Sequence, residues 1–192
     1  KKRFAECRMI EVISPSKDEV AIPYQPIPGA PYATWPIELQ HENKITECLR
    51  MIEKTGGIPM SEIQFDGLIS SPSPWHYRNK MEYAFSAIGY NRETQTDFDG
   101  FALGFKKRGT WWCVENLEKD SGLFDAAFEN LLPQIRKYCE STLLPAWHPP
   151  QRKGFFRFLT VRKSLAEDQI LINLVTSRDD EKFDVHAFAS TL

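Results

Sequence analysis

The chain has 192 residues, of which 42% are hydrophobic and 26% are charged. This length and balance fit one folded core, or one core with a small appendage, and exclude a disordered chain. The 24 basic and 26 acidic residues give a net charge of −2, so a surface that binds nucleic acid must be basic locally. Residues 21–37, the longest uncharged stretch, contain five prolines. That density excludes a transmembrane helix, no signal peptide is visible, and no membrane partner is expected.

The cysteines and histidines give no sign of a metal site. Cys7, Cys48, Cys113 and Cys139 include no CxxC or similar close pair, which metal ligation by cysteine usually needs. A chain of this size with a full core needs no disulfide scaffold, so we expect four reduced thiols in a cytoplasmic protein. The four histidines are scattered, without a second histidine at i, i+4 spacing. We therefore expect no metal.

The first 70 residues predict a strand, a helix and a second strand. Residues 3–13 have the pattern of a strand that ends at a Ser-Pro turn, and a proline-rich loop follows. Pro36 suits the first turn of a helix, in which apolar residues recur at helical spacing until Gly56 and Gly57 stop it. Residues 65–69 predict a short strand.

Residues 77–114 predict an antiparallel meander with one polar face. In residues 77–88 one face of the strand carries Tyr77, Met81, Tyr83, Phe85 and Ala87, and the other carries Arg78, Lys80, Glu82, Ala84 and Ser86. Residues 91–100 predict a polar loop and residues 101–105 the next strand. Residues 106–109 predict a tight turn, from which residues 110–114 lead back.

The remaining residues predict helices followed by a hairpin. Ser121 is a candidate N-cap of a helix whose apolar stripe extends to Leu132, and Pro133 must kink that helix or divide it. Residues 155–162 and 169–176 predict a final hairpin, and residues 183–192 the start of a helix. The elements together predict an α+β fold: a largely antiparallel β-sheet with two or three helices packed on one face.

No enzyme motif is present in the sequence. It lacks a Walker loop and the GxGxxG, HExxH and GxSxG patterns. Paired carboxylates such as Asp97 with Asp99 lie in predicted polar loops, where solvated charge is the simpler interpretation than acid–base catalysis. We identify no catalytic residue in the chain.

Basic residues mixed with aromatic ones are the strongest functional signal from the residues themselves. Residues 141–166 contain no acidic residue, and they combine five basic residues with Phe155, Phe156 and Phe158. Lys106, Lys107 and Arg108 form a second basic group at a predicted turn. A third is formed by Arg78 and Lys80. Such groups neutralise phosphates, and exposed aromatic rings stack on unpaired bases. Alternatively, the phenylalanines belong to the core and the charges are merely solvated.

Residues 71–85 (SPSPWHYRNKMEYAF) resemble the SP…YRNKMEF segment of the RNA uracil-C5 methyltransferases, which modify transfer or ribosomal RNA. Three more resemblances follow in the same order as in that family. Residues 103–109 (LGFKKRG) resemble its LGFHRRG turn, residues 154–162 (GFFRFLTVR) its GFLRHLVVR strand, and residues 171–177 (LINLVTS) its LLVNLVTS strand. Residues 3–12 resemble the end of the TRAM domain, a small RNA-binding barrel that commonly opens these proteins.

The resemblance implies a domain organisation. Residues 1–20 would be the tail of a truncated TRAM-like barrel, residues 21–182 a central α+β domain that presents RNA, and residues 183–192 the start of a catalytic domain. In the family that catalytic domain holds the S-adenosylmethionine site, the cysteine that attacks uracil C6, and a general base. None of these groups is found before Leu192. We therefore expect a piece of a larger methyltransferase, with no catalytic or cofactor-binding residue of its own.

Many members of the family carry an iron–sulfur cluster on four cysteines, three of them in a CxxxxxCxxC run before the first helix. In this chain that region is the proline-rich loop at residues 24–35, which contains no cysteine. Cys113 lies near the position expected for the fourth ligand, a few residues early and alone. We predict no iron–sulfur cluster, as in the family members that lack one.

The resemblance also implies which residues contact RNA or the neighbouring domain. These are Arg78, Asn79, Lys80, Lys106, Lys107, Arg108, Arg157 and Arg162. We place Arg78 and Lys80 first; an arginine's planar fork grips a phosphate at two points and its face stacks on a base. Alternatively, Arg78, Glu82 and Arg157 form salt bridges across adjacent strands.

The expected partner is ribosomal or transfer RNA, and no DNA. Two other function classes remain open. One is a stand-alone RNA-binding module without a methyltransferase half. The other is a protein-interaction domain with a large exposed apolar patch.

Overall fold

The computed structural model describes Ala5 and residues 12–192. The chain divides into two compact units. The first takes in the described part of residues 1–22 together with residues 32–70, and the second residues 23–31 and 71–192. Most of the strand predicted at residues 3–13, and with it the TRAM-like segment, lies outside the described residues.

The described part of the first unit contains one long helix, α1 (Ile37–Gly56), and a 3-10 turn, Met60–Glu62. Pro36 precedes the helix, and Gly57 ends it in the left-handed conformation, with φ 68° and its N–H donating to the Glu53 carbonyl. Glycine adopts this backbone without a Cβ penalty. The helix is therefore confirmed at both ends. No residue of α1 is buried.

The strand predicted at residues 65–69 is wrong. This segment is irregular and pairs with no described strand, and Ile69 is fully exposed. An extended apolar segment becomes a strand only where a neighbouring strand satisfies its backbone groups.

The second unit is built on a mixed five-stranded sheet in the order β2-β3-β1-β4-β5, in which β2 also pairs with β1. The strands are β1 (Lys80–Asn91), β2 (Thr96–Lys106), β3 (Val114–Asn116), β4 (Phe156–Ser164) and β5 (Gln169–Thr176). All pairings are antiparallel except the short parallel one between β1 and β3. The predicted final hairpin is confirmed as β4 and β5.

The polar loop predicted at residues 91–100 is wrong in extent. Only residues 92–95 form a turn, and β2 already begins at Thr96. The side chain of Asn91 accepts hydrogen bonds from the N–H groups of Glu93 and Thr94 and closes this turn. Polar residues therefore continue the ladder here, because the hairpin extends into solvent and needs no apolar face.

Three helices cover one face of the sheet: α2 (Ala126–Glu129), α3 (Leu132–Ser141) and α4 (Val185–Ala189). They bury Phe128, Ile135 and Phe188 against the strand residues of a single core cluster. The main strand residues in that cluster are Met81, Tyr83, Phe85, Phe156, Leu159 and Val161. We call this side of the sheet the core face and the opposite side the outer face. The predicted α+β fold, with helices on one face, is confirmed.

The N-cap predicted at Ser121 is wrong. Asp125 caps α2, and its carboxylate accepts a hydrogen bond from the Phe128 N–H at 2.8 Å. Pro133 lies in the first turn of α3 and divides the predicted long helix in two, because proline lacks the N–H that a continuous helix requires. The helix predicted in residues 183–192 is confirmed as the short α4.

Ser121 instead helps to hold a buried carboxylate in the core. Its N–H and hydroxyl donate to Glu129 at 2.7 and 3.0 Å, and the Tyr83 hydroxyl donates at 2.9 Å. Glu129 is completely buried. Burial raises the pKa of Glu129 above its ordinary value, while the hydrogen bonds from Ser121 and Tyr83 oppose the rise. The network joins α2 to β1.

Candidate nucleic-acid interface

The outer face of the sheet carries the side chains that alternate with the core residues on β1 and β4. On β1 these are Lys80, Glu82 and Ala84, and their cross-strand partners on β4 are Arg162, Thr160 and Phe158. Successive side chains of a strand point to opposite faces, so the burial of Met81 and Tyr83 fixes this set outward. No helix of the core cluster covers it.

One end of this face holds four of the predicted residues close together. Lys80 and Arg162 are direct cross-strand partners. Arg78 and Asn79 immediately precede β1, and their backbones are fixed: the Arg78 N–H donates to the Leu123 carbonyl, and the Asn79 carbonyl accepts from Lys163. All four side chains are exposed. We call Arg78, Asn79, Lys80 and Arg162 the strand-end cluster.

The strand-end cluster places two positive charges, those of Lys80 and Arg162, directly opposite each other on neighbouring strands. Two cations directly across an antiparallel pair destabilise it, and neither Lys80 nor Arg162 forms an ion pair with a described carboxylate. A pair of this kind is unfavourable for folding alone and favourable for an anionic ligand.

The alternative of cross-strand salt bridges is not borne out among the described residues. Arg78, Glu82 and Arg157 have no ion pair within 4.0 Å there. The only side-chain hydrogen bond of Glu82 in that part of the chain is a long one of 3.5 Å from Thr160.

A β-bulge redirects the other end of β4. Phe156 pairs with Thr176 and Phe158 with Val175, so Arg157 is the extra residue. Strict alternation from Leu159 would point Arg157 into the core, but a bulge re-aims the side chains beside it. Phe156 is buried in the core, whereas Phe158 packs against a small apolar cluster of Ala84, Ala102 and Val114 on the outer face.

The guanidinium carbon of Arg157 lies over the Trp147 ring, 3.7 Å from the ring centre. Trp147 is itself held between two strands: its N–H donates to the Phe156 carbonyl and its carbonyl accepts from the Ala87 N–H. The Arg157 Nε is buried without a hydrogen-bond partner among the described residues. Stacking, not an ion pair, therefore holds this arginine in place.

Lys106, Trp111 and Arg152 join these residues around a cleft of about 340 Å³. The Lys106 ammonium lies 5.9 Å from the centre of the Phe158 ring. Arg152 comes from a tight turn closed by a hydrogen bond from the His148 N–H to the Lys153 carbonyl. Gly154 follows, where a Cβ would lie 2.4 Å from the Ala146 carbonyl oxygen. We call the cleft formed by Lys106, Trp111, Trp147, Arg152, Arg157 and Phe158 the tryptophan pocket.

Lys107 and Arg108 lie on the turn after β2 and differ from Lys106. Lys107 forms an ion pair with Asp97 at 3.3 Å, and its ammonium lies 3.8 Å from the centre of the Tyr90 ring. Arg108 is exposed. Burial, together with a hydrogen bond to Asp97, raises the pKa of the neighbouring Cys113 thiol to about 11, so this thiol is protonated at neutral pH.

Other parts of the basic window serve the fold. Phe155 and Phe156 belong to the core. Lys163 forms ion pairs with Asp125 and Asp168, and its hydrogen bonds to them raise its pKa. The alternative that the phenylalanines of residues 141–166 belong to the core is therefore confirmed for Phe155 and Phe156 and not for Phe158.

Sequence reasoning missed Trp147 and Trp111 as site residues. The signal that could have found Trp147 is its position inside the acid-free window of residues 141–166. Among the described residues there is no group of three or more His, Cys, Asp or Glu side chains arranged to hold a metal ion. No described helix is both long enough and apolar enough to cross a membrane.

Comparisons with known proteins extend over nearly the whole chain. It is 32% identical over 188 residues to an uncharacterised RNA methyltransferase of Caldanaerobacter subterraneus, matching 96% of this chain and 39% of that protein. It is 25% identical over 142 residues to the tRNA (uracil(54)-C(5))-methyltransferase of Pyrococcus furiosus, covering 74% of this chain and 30% of the enzyme. No family model matches the sequence.

A solved structure shares the fold. The tRNA (uracil-54, C5)-methyltransferase of Pyrococcus abyssi, in complex with S-adenosyl-L-homocysteine, superimposes with a TM-score of 0.60 at 16% identity, over 91% of this chain and 37% of that one. The chain thus spans about two fifths of the length of the relatives named first. The resemblance is confirmed: the chain is homologous, over nearly its whole length, to part of the RNA methyltransferases, tRNA uracil-C5 methyltransferases among them.

Proposed function

We propose that this chain is the non-catalytic, RNA-presenting part of an S-adenosylmethionine-dependent RNA (uracil-C5) methyltransferase that acts in the cytoplasm on transfer or ribosomal RNA. The observation that carries the proposal is the outer face of the sheet, where cations cluster without described carboxylate partners. Phosphates of an RNA supply the missing negative charge. Homology to RNA methyltransferases supports the same conclusion.

We assign no catalytic or cofactor residue to the chain. Nucleotide-type cofactors commonly bind where a glycine-rich turn joins a parallel strand to a helix. Between described strands the only parallel pairing is the short one of β1 with β3, and the segment from β3 to α2 contains the single glycine Gly122. These residues do not fit S-adenosylmethionine, which we place in the rest of the parent protein. No cluster-binding cysteine set is proposed either.

The role of the chain in the reaction is to position RNA. Arg78, Lys80 and Arg162 contact phosphates at one end of the outer face, and Lys106 and Arg157 contact them at the other. Phe158 and Arg162 are four residues apart on β4, about 13 Å at the rise of a strand, so one bound RNA segment reaches both ends. Contacts to phosphate fix the register of the RNA without reading its sequence.

The experiment is methyl transfer by the protein encoded by the complete gene. Radiolabelled S-adenosylmethionine and unmodified RNA should yield methylated uracil, identified after digestion to nucleosides. The double variant Lys80→Ala/Arg162→Ala should weaken RNA binding and reduce the slope of log affinity against log salt by about 2, roughly 1 for each phosphate contact. Lys137→Ala, an exposed cation on α3, is the matched control. An absence of methylated uracil would contradict the proposed reaction. An unchanged salt slope in the double variant would contradict the proposed phosphate contacts of Lys80 and Arg162.

A protein-interaction module is the second candidate, because Met51, Ile52 and other apolar side chains of the first unit are exposed. This alternative predicts that the chain binds no RNA and that its association with a partner is insensitive to salt.

A further inference from the structure

We infer that the tryptophan pocket seats one unpaired nucleotide of a single-stranded RNA segment, separately from the phosphate contacts at the strand-end cluster. The inference deepens the proposed function and rests on it. It assigns to the pocket a recognition of the base itself, which phosphate contacts do not provide.

The pocket has the size of such a ligand. Its volume of about 340 Å³ lies at the lower end of the range for small-molecule sites. Trp111 on the wall is 59% exposed and lies edge-on to Trp112, with the ring centres 5.6 Å apart. An indole with one exposed face is a stacking platform for a base.

The charge of the pocket selects an anion. Lys106, Arg152 and Arg157 carry three positive charges around the cleft, and no aspartate or glutamate is among the described residues that line it. None of the three forms an ion pair within the described part of the chain. The two phosphodiesters that flank a nucleotide in an RNA strand supply two negative charges against these three positive ones.

Arg157 combines both kinds of contact. One face of its guanidinium is covered by Trp147 at 3.7 Å, which fixes the plane before a ligand arrives. The opposite face stacks on a base, or the terminal nitrogens donate to a phosphate. The side chain also lines a second cleft, together with Arg152 and Lys153, and this cleft again has no acidic residue among its described lining residues. The two clefts share Trp147, Arg157 and Phe158. A strand therefore enters and leaves the pocket along a basic path.

Single-stranded RNA is favoured over a free nucleotide or an acidic protein segment. The face of a tryptophan ring stacks on a base and not on a carboxylate, and basic residues line a second cleft beside the tryptophan pocket. Stacking also tolerates every base, so the pocket alone gives little sequence preference.

The test titrates the protein encoded by the complete gene into a fluorescently labelled single-stranded RNA of about ten nucleotides, a length typical of such sites, and follows anisotropy at several salt concentrations. Trp111→Ala should weaken binding roughly 5- to 100-fold through the loss of stacking and leave the salt slope unchanged. Arg157→Ala should weaken binding and lower the slope by about 1. Tyr32→Ala is the matched control, because Tyr32 is an aromatic residue of similar exposure, 53%, in the other unit.

Three further arms separate the sources of binding. Inorganic polyphosphate should bind Trp111→Ala and the unaltered chain equally, and uridine monophosphate should bind far more weakly than the RNA. Equal binding of RNA by Trp111→Ala, Phe158→Ala and the unaltered chain overturns the pocket while leaving the strand-end cluster and the proposed function intact. If uridine monophosphate binds as tightly as the RNA, the ligand of the pocket is a free nucleotide, and the proposal of a single-stranded RNA segment is wrong. A chain that binds no RNA at all overturns both proposals together.

Discussion

The two faces of the sheet are made by the same strands, yet they differ in whether their polar and charged side chains have partners of complementary charge or hydrogen-bonding type. On the core face the polar groups that enter are paired, as Glu129 is by Tyr83 and Ser121. On the outer face Lys80 opposes Arg162, and Arg157 has no described carboxylate partner. The pairing of Glu129 on the core face favours folding, whereas the opposition of Lys80 and Arg162 does not. The proposed RNA contact accounts for this difference, because RNA phosphates would neutralise the unpaired cations of the outer face.

The largest difference in stability between the two faces should come from substitutions at neighbouring residues of β4. Leu159→Ala removes a fully buried side chain of the core and should lower the free energy of unfolding by about 2–5 kcal/mol. Thr160→Ala, one residue further on the outer face, should change it by about 0.5 kcal/mol or less. Urea denaturation followed by circular dichroism measures both. Equal losses would mean that the outer face is also packed.

The buried network should give the next largest effect. Tyr83→Phe removes one of the three hydrogen bonds to the buried Glu129 carboxylate and leaves the two from Ser121, so it should cost about 1–3 kcal/mol of unfolding free energy, as loss of a hydrogen bond to a buried charged group does. Tyr77→Phe is the control, because Tyr77 is exposed and its hydroxyl makes no hydrogen bond among the described residues. The same denaturation experiment measures the difference. A Tyr83→Phe variant as stable as the control would show that water replaces the hydroxyl.

An ion pair at the rim of the core should give a smaller, pH-dependent effect. Burial opposes ionisation of Asp125, but hydrogen bonds from Lys163 and from the Phe128 N–H hold the pKa of Asp125 below its ordinary value of 3.8. A depressed carboxyl pKa contributes stability that is present above the ordinary value and is lost as the pH falls through the folded value.

Asp125→Asn keeps a good N-cap and removes only the charge. It should therefore cost about 1 kcal/mol or less at pH 7, and the difference from the unaltered chain should shrink as the pH falls below 3.8. Asp125→Ala also loses the cap and should cost about 1 kcal/mol more. Thermal unfolding between pH 7 and pH 3 measures both variants. A difference that does not change with pH would contradict the ion pair.

The smallest effect on stability should come from the strand-end cluster, with the opposite sign. Lys80→Glu places an anion directly across from Arg162 and should raise the free energy of unfolding by a few tenths of a kcal/mol, up to about 1. The same variant should weaken RNA binding, so stability and affinity would move in opposite directions. Chemical denaturation and the RNA titration, on one preparation, test this pair of outcomes. A variant that loses both would indicate that Lys80 serves the fold.

The sequence alone was enough to predict the boundaries of elements that their own residues begin or end. Gly57 ends α1 because glycine adopts a left-handed backbone, and Pro133 divides the helices because it lacks an N–H. Alternation placed Met81 and Tyr83 in the core and Lys80 outside. The cap of α2 was predicted at Ser121 instead of Asp125 because both residue types cap helices. Only the folded structure shows that the Ser121 N–H and hydroxyl donate to the buried Glu129.

What the tertiary structure alone decided is the composition of the site. The sequence identified the cations of the strand-end cluster, since strand alternation and local charge are visible along the chain. The tryptophan pocket joins residues up to 52 positions apart, from Lys106 to Phe158, through a β-bulge that reverses the alternation of β4. Contacts between distant segments, and a single extra residue in a ladder, leave no periodic trace in a sequence, because they depend on which strands pair and in which register.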